Sequence, residues 1–394
     1  MWQNYKVFLY SSTNLHNTHK HMLTNPPKGC EYKTKEYAAI PMAQAKNSRV
    51  MELFERIRWS VSPHYNDLLV KIGRPKIRKF SSNDYEAVHS AQSLLKTNIP
   101  YVMDFEHAAV FSGYNQAAFN NPAFLKNLKK ILENRRLKKL LPWTNAAKAS
   151  LLNFLKSEEI GKKIEVVYPV ITPPEKIKKK NDNVIKFLFI GGNFYEKGGI
   201  ETLMAFDKIG RKYDIELTMV SSVPERIKNL FEKNKKIKIK DRIPYEEAKK
   251  LYEQSHIFVL PTHMDTFGFV IPEALSYGLP VIAEDSFSRP ELVAHEKSGL
   301  LIKSYYSCFD VKGNYIYPTN IELHRNRLMA CMNPPKKYVA QLVKSMERFI
   351  LDSRLRNKCS ENARKETTEG KFSPRVWKEK IGRIYREAIN NREL

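Results

Sequence analysis

Short apolar runs recur along the chain, separated by longer segments in which apolar residues repeat at helical spacing. Runs that are apolar at nearly every position are typical of parallel strands buried on both faces. We predict strands at residues 5–10, 85–90, 100–105, 164–169, 186–190, 215–220, 237–239, 257–260 and 280–283. We predict helices at residues 39–61, 124–143, 245–254, 270–277, 338–366 and 372–388, and a loop at 11–32. The alternation of strands and helices indicates an α/β fold.

The chain of 394 residues is longer than a single hydrophobic core usually organises. Residues 171–183, in which prolines precede lysines and asparagines, are typical of a linker. We therefore predict a first domain over residues 1–170 and a second domain over residues 184–371. Residues 372–394 form a separate C-terminal helix, in which Ser373 is a candidate N-cap.

Two carboxylates flank a predicted strand–loop–helix corner in the second domain. Asp265 lies in the loop after strand 257–260, and Glu273 lies on helix 270–277. Gly268, between them, is suited to a close approach of the backbone to another group. In an open parallel sheet such a corner lies at the carboxyl edge of the strands, where ligands bind.

A glycine-rich loop follows the predicted strand 186–190. It begins with Gly191-Gly192 and ends with Lys197-Gly198-Gly199, just before a helix that starts near residue 200. Accessible backbone N–H groups and the partly positive end of a helix are suited to binding phosphate. The alternative is an ordinary glycine-rich turn with a surface lysine.

Together these segments resemble the donor site of retaining glycosyltransferases of the GT-B fold, family 4 (glycosyl transferases group 1). That family has two glutamates separated by seven residues, and Asp265 and Glu273 keep the spacing with aspartate in the first position. Further matches are Phe267-Gly268, the run Gly278-Leu279-Pro280-Val281-Ile282, and Pro290-Glu291. Lys197-Gly198 matches the donor loop of the family, whereas Gly192 stands where the family has an arginine.

The resemblance implies two Rossmann-like doubly wound domains that face each other across a cleft. The first domain would hold the acceptor and the second a nucleotide sugar, and the C-terminal helix would cross back to the first domain. Glu273 would accept hydrogen bonds from the ribose hydroxyls and Asp265 from the sugar, while Lys197 would stabilise the leaving phosphate. The donor-binding set that the resemblance implies is Gly191, Gly192, Lys197, Thr266, Phe267, Gly268, Phe269 and Glu273.

In the first domain, strand 100–105 runs into Asp104-Phe105-Glu106-His107. In the family the equivalent strand ends in a histidine near the anomeric carbon of the sugar. Here that position falls on Glu106, or on His107 if the loop shifts by one residue. Alternatively, Asp104 and Glu106 cap the helix that follows. Asp104 and Glu106 also resemble the metal-binding acid pair of the other glycosyltransferase fold.

The chain is strongly basic, with 67 lysines and arginines against 42 acids and a net charge of +25. Such an excess indicates an anionic partner: membrane lipid, nucleic acid or a phosphorylated substrate. Residues 124–143 have seven basic side chains, one acid and helical apolar spacing, which is typical of a helix on an anionic membrane or of a helix packed on a sheet. The lysines are otherwise scattered and match no nucleic-acid-binding module.

The sequence therefore predicts a retaining enzyme that transfers a sugar from a UDP- or GDP-sugar to a hydroxyl of a glycan or lipid-linked acceptor. No metal or other cofactor is expected, because Lys197 and backbone N–H groups would take that role. We expect a cytoplasmic protein, with peripheral binding to the inner membrane face as an option. The alternatives are a catalytically inactive sugar-nucleotide-binding protein and a basic nucleic-acid-binding protein.

Overall fold

The computed structural model describes residues 4–12, 17–34, 65–177, 184–317 and 329–390. Its strands are β1 (Tyr5–Ser11), β2 (Cys30–Thr34), β3 (Ile77–Lys79), β4 (Ala87–Ala91), β5 (Leu94–Lys96), β6 (Tyr101–Phe105), β7 (Leu137–Pro142), β8 (Ile185–Ile190), β9 (Ile215–Val220), β10 (Ile237–Lys240), β11 (Ile257–Leu260), β12 (Val281–Asp285) and β13 (Gly299–Lys303).

Its helices are α1 (Asn17–Thr24), α2 (Pro122–Leu132), α3 (Asn145–Leu152), α4 (Glu158–Lys163), α5 (Gly199–Gly210), α6 (Glu225–Phe231), α7 (Tyr245–Gln254), α8 (Val270–Ser276), α9 (Arg289–Leu292), α10 (Lys336–Leu351), α11 (Ser353–Thr368) and α12 (Pro374–Asn390). Residues 65–71 are also helical. The predicted helix 39–61 lies outside the described residues.

The chain divides into two compact units. The first unit comprises Met1–Tyr168, Val311–Glu322 and Lys378–Leu394, and the second comprises Pro169–Asp310 and Leu323–Trp377. Of the predicted linker, residues 178–183 lie outside the described part of the chain, as do residues 318–328.

The first unit is built on a parallel sheet whose described strands have the order β2-β1-β4-β6-β7. Its central strands β4 and β6 are buried at every position, since helices and loops cover both faces. Helix α2 packs Phe124, Leu128 and Leu132 into this core, and Asn121 caps its first turn. The first unit is therefore a doubly wound α/β layer structure.

The second unit is built on a parallel sheet whose described strands have the order β10-β9-β8-β11-β12-β13. Counted within the unit, this order is 3-2-1-4-5-6, that of a doubly wound dinucleotide-type fold. The order reverses between β8 and β11, which pair directly. The carboxyl ends of these two strands therefore form the switch point at which such sheets bind ligands.

Four predicted elements differ in the structure. Helix α2 ends at Leu132, and the apolar residues of 137–142 form strand β7 instead of further helical turns. The predicted loop 11–32 contains helix α1, and residues 164–169 form no named strand but still pair with β7, through a bridge between Leu140 and Ile164 and through bonds from the N–H groups of Glu165 and Val167 to the carbonyls of Leu140 and Pro142. The helix predicted over 338–366 is broken at Asp352, whose side chain caps α11.

The loops after β8 and β11 approach each other through a glycine. Gly198 adopts a left-handed backbone conformation with φ of 79° as it caps α5. A Cβ atom at this position would lie 2.4 Å from the carbonyl oxygen of Pro261. Only glycine therefore allows the two loops to meet at this distance.

Substituting Gly198 with alanine is expected to destabilise the protein by about 1–3 kcal/mol, because the new Cβ adds left-handed strain and a backbone clash. Gly192→Ala is the matched control, since a Cβ there would meet nothing within 4 Å. Thermal denaturation of the two variants checks this. Equal melting temperatures for both variants would contradict the close approach.

Candidate functional site

The candidate site lies in the second unit, where the loops after β8 and β11 meet. The N–H of His263 donates to the carbonyl of Glu196 over 3.0 Å, and the hydroxyl of Thr262 donates to the same carbonyl over 3.3 Å. Together with the contact of Gly198 on Pro261, these bonds join the two loops into one body. Residues of the two loops, which are far apart in sequence, thereby lie close together in one site.

Lys197 and Asp265, both predicted from the sequence, form an ion pair in this constellation. The Lys197 ammonium lies 2.5 Å from Asp265 Oδ2, and the two side chains are 20% and 16% exposed. The ammonium also donates to the carbonyl of Met264 over 3.3 Å. An ammonium has three donors, so the two acceptors found among the described residues leave a third donor for a ligand. The pair thus places a cation and an anion side by side at the partly exposed mouth of the switch point.

The predicted glycines shape the surroundings of this pair. A Cβ on Gly191 would lie 2.9 Å from the Lys197 Cβ, so glycine makes room for the lysine side chain. Gly268 has φ of 81°, and a Cβ there would lie 3.2 Å from Asp265 Oδ2. Gly192 is exposed. The loop leads into α5, whose N-terminus favours an anion.

Glu273 lies on α8 and is only 6% exposed. The Tyr252 hydroxyl donates to its Oε2 atom over 3.2 Å. Burial raises the pKa of Glu273 to about 7, although the hydrogen bond from Tyr252 lowers it. Its ionisation state therefore changes close to neutral pH, and a group that compensates its burial would favour the charged form.

The residues between Asp265 and Glu273 are arranged around Phe267. Phe267 is 1% exposed, and its ring contacts those of Phe269 at 4.7 Å and Phe372 at 6.4 Å between centroids. Thr266 and Phe269 are half-buried. Phe267 thus anchors the turn that carries the other predicted donor-binding residues.

A buried ionic cluster that the sequence reasoning missed lies under the site. His263 Nδ1 is 2.9 Å from Glu284 Oε2, and its Nε2 is 2.7 Å from Glu201 Oε1. All three side chains are fully buried. The signal in the sequence was an acid within the apolar face of α5 and another at the end of the apolar run of β12. Neither reveals its partner without the fold.

Arg289 connects this cluster to the loop that carries Asp265. Its guanidinium is fully buried and donates to the backbone carbonyl of Asp265. Burial lowers the pKa of Arg289, and the charges of Asp265 and Glu284 oppose that effect. The backbone of the loop is therefore held from below by a charged side chain.

In the first unit, Asp104 is the centre of a second buried network. It accepts hydrogen bonds from His19 over 2.7 Å, from His89 over 3.1 Å and from the backbone N–H of Gln92 over 3.2 Å. Burial tends to raise the pKa of Asp104, but the two histidines outweigh it and hold that pKa below its usual value. His89 continues the chain of bonds to the Tyr385 hydroxyl over 2.7 Å.

Glu106 and His107 occupy different environments at the end of β6. His107 is fully buried, accepts from the N–H of Ala109 at Nδ1 over 2.9 Å, and donates from Nε2 to the carbonyl of Gly313 over 2.7 Å. It therefore caps the short 3-10 helix that follows. Glu106 is half-buried and accepts a hydrogen bond from the Tyr114 hydroxyl.

Part of the chain is similar to a family of known proteins. The family model for glycosyl transferases group 1 matches residues 172–308. An uncharacterized glycosyltransferase of Haemophilus influenzae is 28% identical over 253 residues, which are 61% of this chain and 68% of that protein.

Solved structures share the fold of the whole chain. A glycosyltransferase from Rickettsia africae aligns with a TM-score of 0.61 and 16% identity, covering 99% of this chain and 100% of that one. Alr3699/HepE from Anabaena, solved in complex with UDP-glucose, aligns with a TM-score of 0.59 and 12% identity, covering 97% and 99%. These likenesses confirm the predicted GT-B fold class. These comparisons support a glycosyltransferase, and residues 172–308 of the chain match the glycosyl transferases group 1 family.

Proposed function

We propose that the protein transfers a sugar, with retention at the anomeric carbon, from a UDP- or GDP-sugar to a hydroxyl of a glycan or lipid-linked acceptor. The observation that supports this most directly is the Lys197–Asp265 pair at the switch point of the second unit. Alr3699/HepE, which shares the fold, was solved with UDP-glucose. That complex favours a nucleotide sugar as the donor of the present chain.

The two members of the pair would take different roles. Lys197 would direct its remaining donor to the leaving diphosphate, whose negative charge grows as the bond to the sugar breaks. The N-terminus of α5 would add its partial positive charge. Asp265 would accept hydrogen bonds from hydroxyls of the sugar ring, and backbone N–H groups of residues 267–270 would bind the sugar or phosphate. No metal is required in this scheme.

Glu273 would hold the ribose. Its carboxylate would accept hydrogen bonds from both ribose hydroxyls, which would compensate the burial that disfavours its charge. Donor binding would then release the proton that Glu273 holds below neutral pH. Binding and ionisation at this position are therefore coupled.

Of the two candidates in the first unit for the position of the family's histidine, we favour Glu106 over His107. Both ring nitrogens of His107 already have partners, and the ring is fully buried. Glu106 is half-buried, and a carboxylate can accept several hydrogen bonds in addition to that from Tyr114. Glu106 would accept from the acceptor hydroxyls.

We also propose that the first unit binds an anionic membrane surface. The apolar face of α2 is buried in the core, so it is the exposed lysines Lys126, Lys129 and Lys130 that would meet lipid headgroups. The apolar contribution would come from the neighbouring segment 65–72, where Leu68 and Ile72 are 55% and 52% exposed. No helix among the described residues is long and apolar enough to cross a membrane.

Two side-chain bonds fix these neighbours to one another. The Asn121 amide donates to the carbonyl of Val70 over 2.8 Å, and the Asn127 amide donates to that of Gly73 over 2.7 Å. Apolar and basic side chains thus belong to one patch of the first unit. Such a combination binds the boundary between headgroups and acyl chains.

For Glu273→Gln we expect weaker binding of UDP or GDP, because each hydrogen bond to a charged acceptor contributes about 1.5–3 kcal/mol. In the wild type, the affinity should fall as the pH drops through about 7, where Glu273 becomes protonated. Isothermal titration calorimetry from acidic to mildly basic pH checks both. An unchanged affinity in the variant would show that the ribose assignment is wrong.

Ionisation of Glu273 should also change the stability of the protein, in the direction opposite to its effect on nucleotide affinity. The pKa of Glu273 in the folded protein lies above the ordinary value of 4.5, so wild-type stability should fall as the pH rises from 4.5 to about 7. The full effect is about 3 kcal/mol. Glu273→Gln should lack it and be the more stable protein at mildly basic pH. This separates a binding defect from a folding defect.

For Lys197→Gln we expect turnover to fall by about two orders of magnitude, because one preorganised charge partner of the leaving group is lost. Lys208→Gln, an exposed position near the other end of α5, is the control and should keep full turnover. The turnover of both variants is measured as release of nucleoside diphosphate, detected by mass spectrometry. Near-intact activity in Lys197→Gln would place the phosphate site elsewhere.

For the triple variant Lys126→Gln/Lys129→Gln/Lys130→Gln we expect a large loss of binding to anionic liposomes, since each lysine contributes about 1 kcal/mol near such a surface. The control is Lys208→Gln/Lys233→Gln/Lys235→Gln, which makes the same charge change at exposed positions of the second unit. Liposome sedimentation at low and high salt compares them. Equal loss in both variants, or equal binding to neutral lipid, would contradict a defined membrane surface.

A further inference from the structure

We propose that His263 is a positioning residue, a buried imidazolium whose bonds to Glu201 and Glu284 hold the Asp265 loop in register with the phosphate-binding loop. The inference rests on the proposed role of Lys197 and Asp265 in transfer. His263 itself lies beneath the pair and would not touch substrate. Its function would be to fix the position of Asp265 relative to Lys197.

The geometry is the one that a charged ring between two ionised carboxylates would adopt. Each nitrogen of His263 lies within hydrogen-bond distance of a carboxylate oxygen, and ionised carboxylates only accept. A neutral imidazole has one donor and one acceptor nitrogen, so one of its nitrogens would face a carboxylate without a proton between them. Burial alone would lower the pKa of His263, but Glu284 and Glu201 outweigh it and raise that pKa to about 10.

The cluster balances its charges internally. Two carboxylates and one imidazolium leave a single negative charge, and the buried guanidinium of Arg289 interacts with that of Glu284. The Tyr305 hydroxyl also donates to Glu201 Oε1 over 2.9 Å. Three aromatic rings also face the imidazole ring: Tyr305, Tyr306 and Tyr338. Fully buried charges are tolerated only in such paired arrangements.

Each anchor of the imidazolium belongs to a different element. Glu201 lies in the first turn of α5, immediately after the phosphate-binding loop, and Glu284 lies near the end of β12. His263 lies two residues before Asp265, and its N–H bonds to Glu196, the neighbour of Lys197. A shift of the ring would therefore move Asp265 relative to Lys197.

Arg289 strengthens the same connection from a second direction. It donates to the carbonyl of Asp265 while interacting electrostatically with Glu284. The loop is thus tied to the cluster both before and at Asp265. Apolar residues could fill the volume of the cluster, but they would not fix the orientation of the loop. Hydrogen bonds between charged groups are directional and can fix it.

The test compares His263→Gln with His263→Gln/Glu284→Gln, which again balances the charges of the cluster. His295→Gln is the matched control, because it makes the same substitution at an exposed histidine of the second unit. Measured quantities are the melting temperature, turnover of a UDP- or GDP-sugar, the affinity for UDP and GDP, and hydrogen exchange of residues 261–268. Long-range proton–nitrogen NMR reports the charge of the histidine rings in the wild type.

We expect an imidazolium signal that persists at about pH 8 and is missing from His263→Gln. The single variant should lose stability and about tenfold or more in turnover, since small displacements at a reacting site are costly. The double variant should regain melting temperature but not turnover, with faster exchange in 261–268 and nucleotide affinity much less affected than turnover. His295→Gln should match the wild type throughout.

Two outcomes would overturn the inference: a neutral His263 at about pH 8, or turnover that recovers together with melting temperature in the double variant. The second would show a purely structural cluster. If the wild type cleaves no sugar nucleotide, the proposed function fails, and the NMR and exchange measurements still decide the inference. If His263→Gln does not fold, the double variant and the wild-type NMR decide it.

Discussion

The ion pair between Lys197 and Asp265 is the interaction on which the candidate site depends. Its partners come from loops that follow β8 and β11, neighbouring strands at which the strand order reverses. The loops can meet only because Gly198 lets its backbone approach Pro261. A parallel doubly wound sheet provides this meeting point as a consequence of its topology. The chemistry then depends on which side chains the two loops bring there.

Several buried ionisable groups of the second unit lie around the Lys197–Asp265 pair. Burial raises the pKa of Glu273 to about 7, so a ligand that compensates the charge of its carboxylate is favoured. Beneath the pair, His263, Glu201 and Glu284 form a fully buried ionic cluster, and Arg289 ties it to the loop. Buried charges cost free energy unless they are paired. Their concentration under one loop is consistent with a demand for fixed geometry at that loop.

The sequence predicted the parts of this arrangement that depend on local pattern. The apolar runs located β8, β9 and β11 within a residue, and the spacing of Asp265 and Glu273 located the corner between β11 and α8. The resemblance to a family predicted roles for these residues, and those roles stay predictions. The positions of Glu106 and His107 were predicted, but not that His107 would use both ring nitrogens within the first unit.

What the sequence did not predict depends on contacts between distant residues. His263, Glu201 and Glu284 lie on three elements, and no local pattern relates them. Helical periodicity did not detect the end of α2, because residues 137, 140 and 141 fit a helix as well as the strand they form. Helix α1 lies in a segment of weak periodicity, and a bond between His19 and Asp104 fixes it to the sheet.

The most direct test of the account is whether the wild-type protein cleaves a sugar nucleotide at this site. The protein would be incubated with a panel of UDP- and GDP-sugars, and the mixture would be analysed by mass spectrometry for nucleoside diphosphate and for hydrolysed or transferred sugar. The account predicts that one donor class is consumed and yields its nucleoside diphosphate. Recovery of every donor intact, with no donor retained by the protein, would contradict it.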